Sequence, residues 1–260
     1  MNLTRVYAIV LRHYYLSIHQ LDRIFSIFFY PTMALVLWGF LAKYVANVQS
    51  SQLAAFLLGG LILWVIFENV NTELGVSFMF DVWERNLVNL LASPVTFAEY
   101  LFGLLFIGII KILISLVLMG LISAVFYDFR VTTLGFGLVL FWINLVMFAW
   151  SFGIFNISLV LRYGHTLGPL TWALPFLFQP FAAVFYPVSS LPGVFQKIAF
   201  ILPISHVFEG MRTVLASEVF DFGEFWLAFG LNIFYLFLSV VFFAWIVKSV
   251  KKSGHLVKLV

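Results

Sequence analysis

Leu174 to Arg212 reads LPFLFQPFAAVFYPVSSLPGVFQKIAFILPISHVFEGMR. The stretch runs apolar through Pro175, Pro180 and Pro187, and two shorter half-apolar pieces then begin after Pro192 and Pro203. A membrane crossing takes roughly 20 mainly apolar residues, and neither short piece qualifies. Broken helix survives at membrane depth only where protein or a water-filled cavity satisfies the freed backbone groups. The stretch therefore reads as a dip into the edge of a bilayer beside a pathway.

The composition agrees with that frame. Of 260 residues 63% are hydrophobic and 10% charged, against about 25% charged in soluble domains, and the mean hydropathy is +1.09. The chain is an integral membrane protein. Aromatic residues make up 20%, with 33 Phe read mainly as lipid-facing filler. With no Cys, disulfides, Cys-based metal sites and thiol chemistry are excluded. Arg5, Arg12 and Arg23 precede a first apolar run longer than a signal-peptide core, so no cleavable signal is expected.

Residues 1–20 place Leu3, Val6, Tyr7, Val10, Tyr14 and Ile18 on one helical face and Arg5, Arg12 and His19 on another. That pattern suits an amphipathic helix lying on a membrane surface. Six spans follow, at about 24–44, 53–78, 97–126, 132–161, 166–186 and 225–247. Six spans put both termini on one side. Assigning that side to the cytoplasm places Arg5, Arg12, Arg23, Arg85, Arg162, Lys248, Lys251, Lys252 and Lys258 inside, against Lys43, Arg130, Lys197 and Arg212 outside. The positive-inside rule favours this orientation, and it puts the Pro187 to Arg212 segment on the outer face.

The loop D-V-W-E-R-N-L-V-N-L-L-A-S-P-V, 81–95, predicts a short amphipathic helix over 81–92. Asp81 is placed to cap it with Glu84 as the capping-box partner, and Pro94 stops it. Trp83, Leu87, Leu90 and Leu91 share a face, which asks for another part of this chain or the groove of a cytosolic subunit. No stretch resembles G-x-x-x-x-G-K-[ST], so the chain does not bind ATP by that mechanism itself.

At this point the chain resembles a membrane subunit of an ABC exporter of the ABC-2 type. The resemblance rests on the six-span layout, on R-N-L-V-N-L-L-A-S-P-V at 85–95, and on F-Y-P-V-S-S-L-P followed by L-P-I-S-H-V-F-E-G-M-R within 185–212. It covers essentially the whole chain and implies one ABC-2 type transmembrane domain over 1–260. The implied fold is all-α, with six transmembrane helices, an interfacial helix at 1–20, a coupling helix at 81–93, and re-entrant outer gate helices at 187–216. The resemblance assigns Trp83, Glu84, Arg85, Leu87, Leu90 and Leu91 to contact with a separate nucleotide-binding ATPase, and Pro187, Pro192, Pro203, His206, Glu209 and Arg212 to the outer gate. It implies two membrane subunits, alike or different, with the pathway at their seam lined by spans one, two and five. No cofactor is expected in this chain, ATP and Mg belonging to the partner; membrane lipids are further partners and nucleic acid is not. Members move polysaccharides, lipid-linked glycans, drugs and lipids across the cytoplasmic (inner) membrane of prokaryotes, and the drug and lipo-oligosaccharide branch is slightly the better match.

Charges inside the spans are costly, roughly 2.5 to 3.5 kcal/mol each at the membrane centre. Lys111 in the third span is expected to face Glu68 in the second, or Glu73 deeper in the same span. The pair would fix two spans or handle substrate or protons. His206, Glu209 and Arg212 recur at three-residue spacing and share a helical face. A metal site would need more ligands than that face offers. Trp38, Trp64, Phe67, Trp172, Phe176 and Phe181 lie in spans expected to line a pathway, although lipid-facing packing suits each of them too.

A self-contained secondary transporter or an intramembrane enzyme is the alternative. A carrier commonly shows inverted repeats, and an enzyme needs a nucleophile, a metal cluster or paired carboxylates converging in the spans. The sequence displays neither pattern.

Overall fold

The computed structural model describes residues 1–84 and 86–253. Among these residues the chain is predominantly helical and contains no strand: α1 (Leu3–His19), α2 (Leu21–Val48), α3 (Ser51–Trp83), α4 (Leu87–Ala92), α5 (Phe97–Tyr127), α6 (Gly137–Tyr163), α7 (Gly168–Phe178), α8 (Gly193–Ile201), α9 (Pro203–Ser217) and α10 (Phe222–Ser253). Local chemistry explains the boundaries. Asn2 and Ser50 accept backbone N–H bonds at the starts of α1 and α3, and Thr96 with Glu99 forms a capping box on α5. Asp128 ends α5 in the left-handed conformation. Pro192 precedes α8, and Pro203 opens α9, where its missing N–H costs no helical bond.

Among the described residues five helices are long and apolar enough to cross a membrane: α2 from Arg23, α3, α5, α6 and α10 to Lys252. Helix α3 is the central post, with 67% of its most apolar stretch buried, against 18% for α2 and 22% for α10. The two peripheral helices leave broad apolar faces open, α2 through Phe28, Phe40 and Tyr44 and α10 through Phe234, Phe237 and Trp245.

The expected continuous fifth span at 166–186 is corrected by the structure. Helix α7 has only 11 residues, about 16 Å at 1.5 Å per residue, and turns occupy 179–186. Pro175 and Pro180 remove two backbone donors in quick succession, so a regular ladder cannot continue. The chain still climbs. Thr171 packs at Gly75 of α3, and the Val184 carbonyl packs at Gly60 of the same helix. Those two contacts lie 15 residues apart on α3, a rise of about 22 Å. A short helix and an irregular turn thus cover most of a crossing.

Helices α8 and α9 meet at 98° and form a bent pair. Met211 of α9 packs against Gly59 near the start of α3, and Gly210 of α9 against Phe141 near the start of α6. The pair therefore sits at the end of the bundle opposite α4. Helix α1 lies along α5 and α2. It turns Ile9, His13 and Ser17 inward and leaves Leu3, Tyr7, Tyr14 and Ile18 exposed.

Candidate functional site

Two polar constructions stand at opposite ends of α3. At the α4 end the centre is Asp81, which is 2% exposed. Its carboxylate accepts both terminal nitrogens of Arg12 from α1, the Tyr100 hydroxyl from α5 at 2.6 Å, and Asn86 Nδ2 at 3.1 Å. The Asp81 carbonyl accepts the Asn86 N–H at 2.9 Å. One residue thus ties α1, α3, α5 and the turn leading into α4. The expected capping of an 81–92 helix by Asp81 and Glu84 is corrected here: α3 runs on to Trp83, Glu84 is its C-cap, and the separate helix α4 spans only Leu87–Ala92. The capping box lies one element later, at Thr96 and Glu99. Glu99 also accepts the Asn2 N–H at 2.7 Å and lies 3.6 Å from Arg5, so the first turn of α1 is held to α5.

From this end a charged ladder continues along α3. Ser77 donates to Glu73 at 2.8 Å and accepts from Arg23 at 3.3 Å. Arg23 also reaches Gln20, His13 and the face of Phe80. Glu73 lies 2.7 Å from Lys111 Nζ and 4.0 Å from Arg23. Lys111 thus pairs with the deeper carboxylate, and the Glu68–Lys111 pairing is corrected. Five helical positions rotate Glu68 by about 140° from Glu73, and Glu68 lies instead beside Trp64 on its own helix.

His13 faces this ladder from α1. Burial pushes its pKa down to about 4, against the opposing pull of Glu73 and Asp81. The imidazole is therefore neutral at physiological pH.

At the other end, Arg212 is 6% exposed and donates to the carbonyls of Ala183 at 2.8 Å and Val184 at 3.5 Å. Glu209 accepts from Arg212 at 3.0 Å and from the Val188 N–H at 2.6 Å. Ser205 donates to the Phe181 carbonyl at 3.2 Å, and Tyr186 to that of Pro180 at 2.5 Å. Side chains of α9 thus satisfy backbone groups of the turn at 181–188, among them the Ala183 carbonyl whose helical donor Pro187 lacks. Ala183 takes a φ of 54° within this turn, a conformation L-residues adopt at a cost. His206 bridges three elements: Nδ1 meets Glu224 of α10 at 2.5 Å, and Nε2 meets the Phe200 carbonyl of α8 at 2.8 Å. Burial pulls the His206 pKa down, but Glu224 and that carbonyl outweigh it and hold it above the usual value.

The proposed lining residues divide. Trp64 and Phe67 are 2% and 0% exposed and pack on each other, Phe67 also stacking on Phe148 of α6, so their lining role is corrected to core packing. Trp38 stacks on Phe185 with ring centroids 4.2 Å apart, Phe181 packs on Phe195, and Phe176 is 51% exposed. At the α4 end Trp83 is 47% exposed, Glu84 is exposed and Leu90 packs partly on the core. Arg85 and the side chains of Leu87, Leu91 and Trp172 lie outside the described residues. Among the described residues no three His, Asp or Glu side chains are grouped to hold a metal.

Long apolar helices, charges paired inside them and a broken helical segment satisfied by its neighbours define a multi-pass membrane protein with a divided fifth segment. The chain belongs to the ABC-2 type transporter family, whose model matches residues 4–216, and it is a membrane transport permease of that family. It is similar to the inner membrane transport permease YadH of Escherichia coli K12, with 25% identity over 191 residues and 70% of each chain covered. YadH of Shigella flexneri matches to the same extent.

Proposed function

We propose that this chain is the permease subunit of an ATP-driven exporter that moves an amphipathic or lipid-linked molecule across the inner membrane. A separate nucleotide-binding subunit supplies the energy, binding and hydrolysing Mg-ATP, and docks on the segment from Trp83 to Ala92. Both termini face the cytoplasm, α1 lies in that interface with Leu3, Tyr7, Tyr14 and Ile18 toward lipid, and two permease subunits enclose the pathway.

The observation that carries this reading is the Asp81 junction. The turn into α4 is bound to the same carboxylate as Arg12 and Tyr100, so a push on α4 enters α1, α3 and α5 together. An exposed Trp83 beside it gives a partner an aromatic anchor of the kind that dominates binding energy at interfaces. At the far end Arg212 and Glu209 control the turn at 183–188, which on this reading is the exit.

Purification of the chain with a Walker-motif ATPase, and loss of that ATPase on Trp83→Ala or Leu87→Asp in an otherwise folded permease, is the expected result. Substrate movement by the chain alone, without ATP, would sink the reading in favour of a secondary transporter.

A further inference from the structure

Pro175 is the eighth residue of α7 and has no N–H, so the carbonyl four residues earlier, Thr171 O, loses its helical donor. That donor comes from another helix. Asn156 Nδ2 of α6 lies 3.3 Å from Thr171 O, and the two residues are 1% and 0% exposed. Gly75 of α3 makes the meeting possible: a Cβ there would run into Thr171 Cγ2 and stand 3.0 Å from Asn156 Nδ2. Three helices therefore converge at the one place where the α7 ladder is interrupted. Above it the ladder resumes, with Gln179 donating to the Pro175 carbonyl at 3.2 Å.

The same junction holds polar groups left idle. Asn71, one turn along α3 from Gly75 and on the same face, is 0% exposed with both side-chain polar atoms unpartnered, and Thr171 Oγ1 is unpartnered too. A static packing joint gains nothing from such groups. A joint with two positions gains alternative partners.

We propose that Asn156 is a positioning residue that stands in for the donor Pro175 lacks, and that Thr171 to Pro175 is thereby a hinge. The lower turns of α7 stay keyed to α6 and α3 while residues 176–188 move with α9. A side-chain donor permits this because it can follow or release a carbonyl, whereas a backbone N–H in a continuous helix cannot. Movement of the hinge during transport rests on the function proposed above; the stand-in role of Asn156 does not.

The test pairs two substitutions. Asn156→Leu is expected to lower the melting midpoint of the purified chain by about 2–6 °C, the loss of one buried hydrogen bond. Pro175→Ala restores the N–H, so in that background Asn156→Leu is expected to shift the midpoint by less than about 1 °C, since the paired residues couple. An equal loss in both backgrounds overturns the stand-in role. Pro175→Ala removes no hydrogen-bonding group, and its own cooperative melting transition shows whether it is folded, so it also reads the hinge. With the ATPase partner bound, it is expected to keep ATP hydrolysis and lose at least about 5-fold in transport, because the ladder is now continuous. Wild-type transport by Pro175→Ala overturns the hinge. Spin labels at Phe176 and Val139 are expected to give two distance populations across nucleotide states in the wild type and one in Pro175→Ala; a single population in both also overturns it. The melting comparison needs no ATPase, so failure of the exporter reading and failure of the stand-in role are told apart.

Discussion

The guanidinium of Arg12 closes on the carboxylate of Asp81 and joins the first helix to the last turn of the third. The pair stands beside the turn into α4, and through Ser77, Arg23 and Glu73 it continues to Lys111 inside the bundle. Breaking a buried pair by removing one member is far costlier than replacing both, because the remaining charge is left without a partner. That asymmetry gives each link a signature.

Asp81→Asn keeps the shape and removes the charge that Arg12 and Tyr100 address. The expected loss is about 1.5–3 kcal/mol, typical of hydrogen bonds to a charged group, and is read as a lower melting midpoint in detergent. Arg12→Lys is expected to recover only part of the Arg12→Ala loss, since an ammonium does not span both carboxylate oxygens.

Glu73→Gln strands the buried Lys111 ammonium and is expected to cost about 3–5 kcal/mol, whereas Glu73→Gln with Lys111→Met is expected to recover most of it. Glu68→Gln serves as the control, with an effect below about 1 kcal/mol, as befits a site away from the ladder. Thermal aggregation followed by size-exclusion chromatography reads all three. Equal harm from the Glu68 and Glu73 variants would contradict the observed pairing.

These pairings were only partly legible in the sequence. Composition and the long apolar runs located five crossings, because hydrophobic length alone specifies them. The partners of the charges were not legible. Glu68 and Glu73 differ by five positions on one helix, and only the packing of α5 decides which of them meets Lys111. In sequence Asp81 has the pattern of a cap, because Glu84 follows at the right interval. The helix instead ran on, since Arg12, 69 positions away, already occupied that carboxylate. The T-F-A-E pattern at 96–99 carried the real capping-box signal and could have been found. The broken stretch at 174–212 is legible from its prolines, while the pairing of its turn with Ser205 and Arg212 further along the same stretch, and of the Thr171 carbonyl just before it with Asn156, emerges only from the fold.

Arg212→Ala leaves the carbonyls of Ala183 and Val184 without their donor, at an expected cost of about 1–3 kcal/mol for each unsatisfied group. Ala183 is a second reading of the same turn. Ala183→Gly is expected to leave the midpoint unchanged or higher, and Ala183→Val to lower it, since β-branching is poorly tolerated at φ 54°. Unchanged melting of Ala183→Val would remove the turn from the stability argument.

Acid and alkaline limbs of the stability profile are expected to come from different histidines. His206 binds its proton more tightly when folded, so its contribution is full below about pH 6.5, the unfolded value, and is lost as pH rises through the higher folded value. His13 behaves oppositely. Its folded pKa of about 4 makes its contribution full above about 6.5 and lost as pH falls between them. Melting midpoints from pH 4 to 9 are expected to lose their alkaline slope in His206→Gln and their acid slope in His13→Phe.

Gly60 sets the height of the broken crossing. The Val184 carbonyl rests where a Cβ would stand only 2.6 Å away, so backbone touches backbone and no flexible side chain is there to yield. Even Gly60→Ala would lift the turn off the central post and carry Arg212, Glu209 and the aromatic stack on Trp38 out of register with it. The vertical alignment of that whole end of the molecule is thus indexed by a single absent methyl group.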